Sequence, residues 1–417
     1  MRPGRILWLA AVVGAAACVE RATAPATCPA YCPSGSLTVV DTLLRGAVSR
    51  DSAYRGYVPA FRAGVMLAAA LPGIDSRAIF QLAPLGVRVA LGTDTTTSPI
   101  VGVDSLRLFL SITRRDTAAH NLTLALYRLP LGIDSTTTFA DLAGAFTDSL
   151  AKDSVNIDSL LARPNGKDTL TGDSVAVDTT KRVAVVMKLD SSQAPYASAD
   201  SGKLALGIRV GADSLASIAL TVDTIRWFVK VDSIHGSDTT LVHKLYARGV
   251  TFRSFVFDPP PAPFGSMLAV GGVPSARSIL RLSVPRAILD SSQIIRGTLI
   301  LVPAVPASGA PADSFKIEAH TVLADFGAKS PLVFDATRTD TALIRIGATG
   351  ATDTLTIEIT NLVQFWATDT LAPTTVMLRS QAEGANLAEI RFFSSATPAS
   401  APVLRLTYAP RFPFGLR

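Results

Sequence analysis

Short runs in which apolar and polar residues alternate fill the chain from about residue 40 onward, and they decide which class of fold is open to it. Examples are SLRLFLSI (105–112), LTLALYRL (122–129), RVAVVMKL (182–189), KLALGIRV (203–210), GTLILVPA (297–304), TLTIEITNLV (354–363), TVMLRS (375–380) and VLRLTY (403–408). A period of two puts every second side chain on one face, the pattern of a strand with one buried side. Gly, Pro, Asp and Ser separate the runs, and glutamate, a good helix former, is absent between Glu20 and Glu318. With no helices regularly interleaved, the expectation is antiparallel sandwiches, not a parallel sheet. A chain of 417 residues is too long for one ordinary core, so two sandwiches in tandem are expected.

One segment breaks the pattern. In TTFADLAGAFTDSLA, Phe139, Leu142, Phe146 and Leu150 fall at helical spacing, and Thr138 with Asp141 makes a weak capping box. A short helix is expected there, followed by a polar surface insertion over 152–180. The string DPPPAP (258–263) lacks the amide donors a central strand needs and marks a boundary. The halves on either side share blocks in order. GVMLAA with RAIFQL matches GSMLAV with RSILRL, SLRLFLSI matches GTLILVPA, LTLALYRL matches FKIEAHTVL, and GIRVGADSLASIAL matches MLRSQAEGANLAEIRF. The expected organisation is a leader over 1–17, a tether over 18–38, a first sandwich over 39–258 with its insertion at about 135–180, a linker over 259–263, and a second sandwich over 264–410.

The N-terminus reads as an export signal. Arg2 and Arg5 precede the apolar stretch ILWLAAVVGAAA, which is shorter than the roughly 20 residues that span a bilayer. Ala15, Ala16 and Ala17 run into Cys18, which resembles a bacterial lipobox, with Ala15 where Leu is usual. The expectation is acylation at Cys18, so that the lipid holds the protein to a membrane and Val19 suits outer-membrane sorting. An ordinary cleaved signal and a retained anchor are the alternatives. Cys28 and Cys32 form either a small local disulfide, favoured by an oxidising compartment, or two unpaired thiols in the tether. The net charge of +6 and pI near 9.3 come from scattered, mostly arginine residues, and export argues against a nucleic-acid partner.

Several elements of the second half resemble the DNRLRE domain family, jelly-roll-like sandwiches of bacterial and archaeal surface proteins, some of them similar to carbohydrate-binding modules. They are MLAVGG followed by SARSILRL (to Leu282), IIRGTLILV, ITNLVQFW (359–366), IRFFSS (390–395) and PVLRLTY (402–408). The name-giving string is absent, and the first half lacks the Trp element. The resemblance implies that the fold class is all-β, with two tandem jelly-roll-like antiparallel sandwiches and one short helix in the first. It also implies polysaccharide or matrix binding at the cell envelope. Arg277, where the chain enters the strand RSILRL, is expected over a sheet edge or paired with a loop carboxylate, with a ligand contact as the alternative.

His120, His235, His243 and His320 show no zinc spacing, and no hydrolase elbow, phosphate loop or dinucleotide turn occurs. No catalytic residue, metal or cofactor is expected, although two carboxylates brought together by folding escape any motif search. Three neighbouring aromatic pairs, Trp227 with Phe228, Phe365 with Trp366 and Phe392 with Phe393, are each either core or a platform for stacking a sugar; Trp227 and Trp366 are the ligand-stacking candidates. Of 28 aspartates, all but Asp141, Asp258, Asp325 and Asp335 precede Ser or Thr. Turn capping at strand starts, calcium loops and a bacterial O-glycosylation sequon are the three readings. Under the last, Ser105, Ser159 and Thr354 are candidate acceptors. The function expected is a non-enzymatic envelope lipoprotein binding polysaccharide or matrix. The alternative is an assembly protein contacting other envelope proteins, and the sequence sets no oligomeric state.

Overall fold

The computed structural model describes residues 38–411 apart from 92–96, 117, 236–237, 311–313, 326–332 and 347–352. The protein is mostly strand, with antiparallel sheets and few helices, as the alternating runs require. In chain order the strands begin with β1 (Val40–Leu44), β2 (Val48–Arg55), β3 (Met66–Leu71), β4 (Ile74–Leu82), β5 (Arg88–Ala90), β6 (Thr97–Arg115) and β7 (Thr123–Leu129). Next come β8 (Ala151–Asn156), β9 (Ser174–Val177), β10 (Val183–Asp190), β11 (Ala205–Gly211), β12 (Ala216–His235), β13 (Asp238–Arg248) and β14 (Val250–Asp258). The chain continues through β15 (Leu268–Gly271), β16 (Ala276–Leu282), β17 (Ser292–Leu301), β18 (Ser314–Ala324) and β19 (Val333–Arg345). It ends with β20 (Leu355–Glu358), β21 (Thr375–Ser380), β22 (Glu389–Phe392) and β23 (Val403–Pro410). Among the described residues three short α-helices occur, α1 (Ile157–Leu161), α2 (Arg286–Ser291) and α3 (Thr360–Thr368).

In the first half the strands run β8-β7-β11-β4-β3-β12-β6-β10-β9, with β13 added to β12 and β14 to β4. The long β12 pairs first with β3 and then with β13 while keeping β6 along its other edge, through register shifts such as those at Ala219/Leu220 and Phe228/Val229. Such bulges bend a strand, and here the sheet folds over onto one core. The buried residues Leu106, Leu108, Leu110 and Ile112 of β6 and Val183, Val185, Met187 and Leu189 of β10 meet Phe80, Leu126 and Ile208. Period two is thus read out directly as burial.

Two sheets enclose a second core. One is β1-β23-β17-β20, the other β19-β18-β21-β16-β15-β22 with β2 on β16. Leu299, Ile357, Leu404 and Leu406 of the smaller sheet pack with Leu280, Ile317, Leu378 and Ile390 of the larger, a sandwich closed at one end by Leu362, Val363 and Trp366 of α3.

The N-terminal boundary differs from the sequence expectation. Residues 40–55, assigned there to the first sandwich, pair with the second half: β1 lies on β23, with Val40 opposite Tyr408, and β2 on β16, with Ser52 opposite Ile279. The first half is completed by β13 and β14, where Ser254 lies opposite Ile79. The strand pairs β1–β2 and β13–β14 therefore fill equivalent slots, and RGAVSRDSA from Arg45 is similar to RGVTFRSF from Arg248. The order β8-β7-β11-β4-β3-β12 also matches β19-β18-β21-β16-β15-β22 strand for strand. Long-range pairing of this kind leaves no mark in local periodicity.

Two further expectations are corrected. The segment after Thr138 forms 3-10 turns over Ala140–Ala145 and Asp148–Leu150, not an α-helix, although the reciprocal bonds of the capping box are present. The stretch 152–180 is no simple surface insertion, because β8 pairs with β7 and Val155, Ile157, Leu160 and Val175 enter the first core. In the second half the run TLTIEITNLV changes from strand to helix after Glu358, so that helices are not confined to the first half.

Candidate functional site

The halves meet along an apolar seam. Leu67, Ala69 and Leu71 of β3, Ala219 of β12 and Phe255 of β14 pack with Val273, Ala310 and Leu387 from the other side. Beside it lies an ion-paired wall. Arg55, the last residue of β2, reaches Glu389 Oε2 at 2.6 Å, and Arg391 Nε donates to Glu389 Oε1 at 2.7 Å. Both guanidinium groups flank Phe264, at 4.3 and 5.5 Å from its ring centre, and Arg391 also donates to the carbonyls of Ala262 and Pro263 at 3.1 Å. The proline run is thereby tied to the wall. Gly272 stands at φ +71°, and a Cβ there would press against Glu389 Oε2 and lie 3.1 Å from Arg55 Nη1. Glycine permits both the turn and the close pair.

Two clefts share Arg55, Phe257, Pro260 and Pro261. The smaller, about 240 Å³, lies over the ion-paired wall and Leu387. The larger, about 500 Å³, is walled by Phe61, Phe139, Phe257 and prolines 59, 260, 261 and 274, with Ser135 and Thr136–Thr138 along one side. Phe61 keeps 39% of its surface exposed. The Phe139 ring already carries the Arg77 guanidinium at 4.1 Å. Apolar walls with a few convergent hydroxyls and a cation are the usual make-up of a ligand cleft.

The repeated arginine has a structural occupation in both halves. Arg77 Nη2 bonds Asp75 at 2.8 Å and covers Phe139 and Phe146, while Arg277 forms a fork with Glu383, 2.7 Å on each arm, and lies 4.4 Å over Tyr57. Glu383 sits in the turn after β21, so Arg277 pairs with a loop carboxylate.

The ligand-stacking expectation for Trp227 and Trp366 is overturned. Trp227 is 1% exposed within the first core and Trp366 0% within the second, its indole Nε1 donating to Thr321 Oγ1 at 3.1 Å. Period two in β12 and the inward face of α3 turn both indoles away from solvent. Their neighbours Phe228 and Phe365 are half-buried, as is Phe393, while Phe392 belongs to the core. Among the acceptor candidates, Ser159 and Thr354 are exposed, and Ser105 lies half-buried within β6 between Asp190 and Phe228. Cys18, Cys28 and Cys32 lie outside the described residues.

Six aspartates show what the Asp-Ser/Thr pair does locally. Asp116, Asp134, Asp168, Asp178, Asp190 and Asp369 each accept a hydrogen bond from the backbone amide two residues on, at 2.7–3.0 Å. These are Asx turns, which satisfy a donor where the chain reverses. Glu318, Glu358, Glu383 and Glu389 each pair with an arginine. Asp153 differs: burial, and then the nearby charge of Asp173, push its carboxyl up to about 6, and its Oδ2 is buried with no hydrogen-bond partner among the described residues. His320 is buried against Glu318 and Phe334, His243 contacts Asp104 on the surface, and His120 is exposed. Among the described residues no three His, Cys, Asp or Glu side chains group as metal ligands. Sequence reasoning missed the seam because Arg55 and Phe61, Phe264, and Glu389 come from three distant segments with no motif joining them.

Neither a protein-family model nor a curated protein matches the chain.

Proposed function

We propose that this is a non-enzymatic cell-envelope lipoprotein, anchored at Cys18, that binds a polysaccharide or matrix polymer in the larger cleft at the seam. One observation carries the reading: Phe61, with the Arg62 guanidinium 5.6 Å from its ring centre, keeps 39% of its surface exposed beside a row of hydroxyls, Ser135 to Thr138. Sugar rings offer apolar faces to aromatic rings and hydroxyl edges to such groups. Likeness to the DNRLRE family belongs to the same proposal, as does O-glycosylation at exposed positions such as Ser159 and Thr354.

The test is retention of the soluble chain on a glycan array. Phe61→Ala should weaken binding by about 10-fold, the equivalent of about 1.4 kcal/mol for one lost stacking contact. Absence of binding to every glycan would reject the ligand class. The intact mass of protein taken from its natural host reads the remaining parts: acyl chains on Cys18, and glycan mass beyond them.

A further inference from the structure

Each half is completed by an arm of two consecutive strands that precedes the other half in the chain. The β13–β14 arm leads directly into the second half by sequence, yet its strands pair separately with β12 and β4 of the first. The β1–β2 arm leads into the first half, yet β1 pairs with β23 and β2 with β16, one in each sheet of the second. The exchange is reciprocal.

The two arms are held very differently. β13 pairs along β12 from Ile225 to His235, and β14 sinks Phe255 and Val256 into apolar clusters, with Phe252 and Phe257 packed alongside. By contrast, the β1–β2 segment contributes only Ala47 and Val48 to the buried core, with Leu44 packed partly against it and Leu43 48% exposed. What secures it is strand pairing and polar contact: Asp41 with Arg405, Asp51 with the Ser395 amide at 2.6 Å, and Arg55 with Glu389. Its connection to β3 carries Gly56 and Gly64, at φ +95° and +69°, one at each side of a 3-10 turn. Hydrogen bonds and ion pairs at a sheet edge are exchanged for water at modest net cost, whereas buried apolar side chains are not.

We propose that the β1–β2 arm is a detachable strap, and that the two places it fills, β1 along β23 in one sheet and β2 along β16 in the other, receive the same arm from a second copy of this chain. The occupant is fixed by register. An arm of identical sequence meets the same β16 and β23 positions, the same Arg405 and the same Glu389, so exchange between copies needs no surface that the single chain does not already possess. A reciprocal exchange of two straps closes a dimer, and a one-way exchange extends a filament. The inference is independent of the ligand reading above.

The test uses the full chain with Cys18, Cys28 and Cys32 changed to Ser. Asp41 and Thr407 stand opposite each other across β1 and β23. The double variant Asp41→Cys/Thr407→Cys should close an internal disulfide at low protein concentration, which establishes that the positions can be bridged. Equal amounts of the single variants Asp41→Cys and Thr407→Cys are then mixed, opened in sub-denaturing urea, returned to buffer and oxidised. The mixed disulfide should exceed the two-to-one ratio over each homodimer that random collision gives, and should greatly exceed the product of Asp41→Cys with Val101→Cys, an exposed position in the first half. A mixed product no greater than this control, while the double variant closes internally, would overturn the proposal.

Discussion

Gly207 is the position where one added methyl group should tell most about how the first half is built. It lies in β11 opposite both Tyr127 and Ile79, and a Cβ there would stand 2.7 Å from Phe146 Cε1 and closer still to Cζ. Ordinary carbon contacts are about 3.5–4.0 Å, so the ring must move by roughly 1 Å. It has nowhere to go: Tyr127 lies 5.1 Å away between ring centres, and the Arg77 guanidinium is 4.9 Å from the ring. Overpacking costs about 1–3 kcal/mol, and expulsion of a buried Phe about 3–5. Loss of glycine's backbone freedom in the unfolded chain offsets about 0.5–1 kcal/mol. Gly207→Ala should therefore destabilise by about 2–3 kcal/mol, measured by urea unfolding followed through tryptophan fluorescence. On a Phe146→Ala background the same substitution should be neutral or slightly stabilising. Equal destabilisation in both backgrounds would refute the packing account.

Two other outcomes follow from buried polar groups. Thr321→Val keeps the shape of the side chain but leaves the Trp366 indole N–H without its acceptor, and should cost about 1–3 kcal/mol in the same unfolding measurement. For Asp153 the sign runs opposite to a normal ion-paired carboxylate. Its folded pKa of about 6 lies above the ordinary 3.8, so its favourable contribution is complete below the lower value and is lost as pH rises through the upper. Asp153→Asn should thus be more stable than the wild type above about pH 6, by about 1–2 kcal/mol once the partial solvent access of the carboxyl is allowed for, and the difference should shrink toward pH 4. Urea midpoints between pH 4.5 and 8 check this, and a pH-independent difference would contradict it.

Much of the candidate site was beyond sequence reasoning, and particular residues show why. Alternation in SLRLFLSI and RVAVVMKL announced strands with one buried side, and Leu106, Val185 and Met187 lie on that side, because burial along a strand depends on the residue's own neighbours. The same rule could not tell which face of β12 holds Trp227, since either parity gives one ring in and one out. For Trp366 it misread the period, as Leu362, Val363 and Trp366 face inward from a helix. Arg77 and Arg277 were visible as a repeat, but their aromatic partners come from separate loops: Phe139 and Phe146 in one half, Tyr57 in the other.

By itself the sequence determined the strand-rich class and the presence of strands such as β7, β10, β11 and β23, because each depends on contacts within a few residues. Tertiary structure alone decided that residues 40–55 complete the second half, that β13 and β14 complete the first, and that Arg55, Phe264 and Glu389 share one wall. Edge pairing is chosen by which slot lies within reach once the sheets have formed, and backbone hydrogen bonds carry almost no residue code to announce that choice.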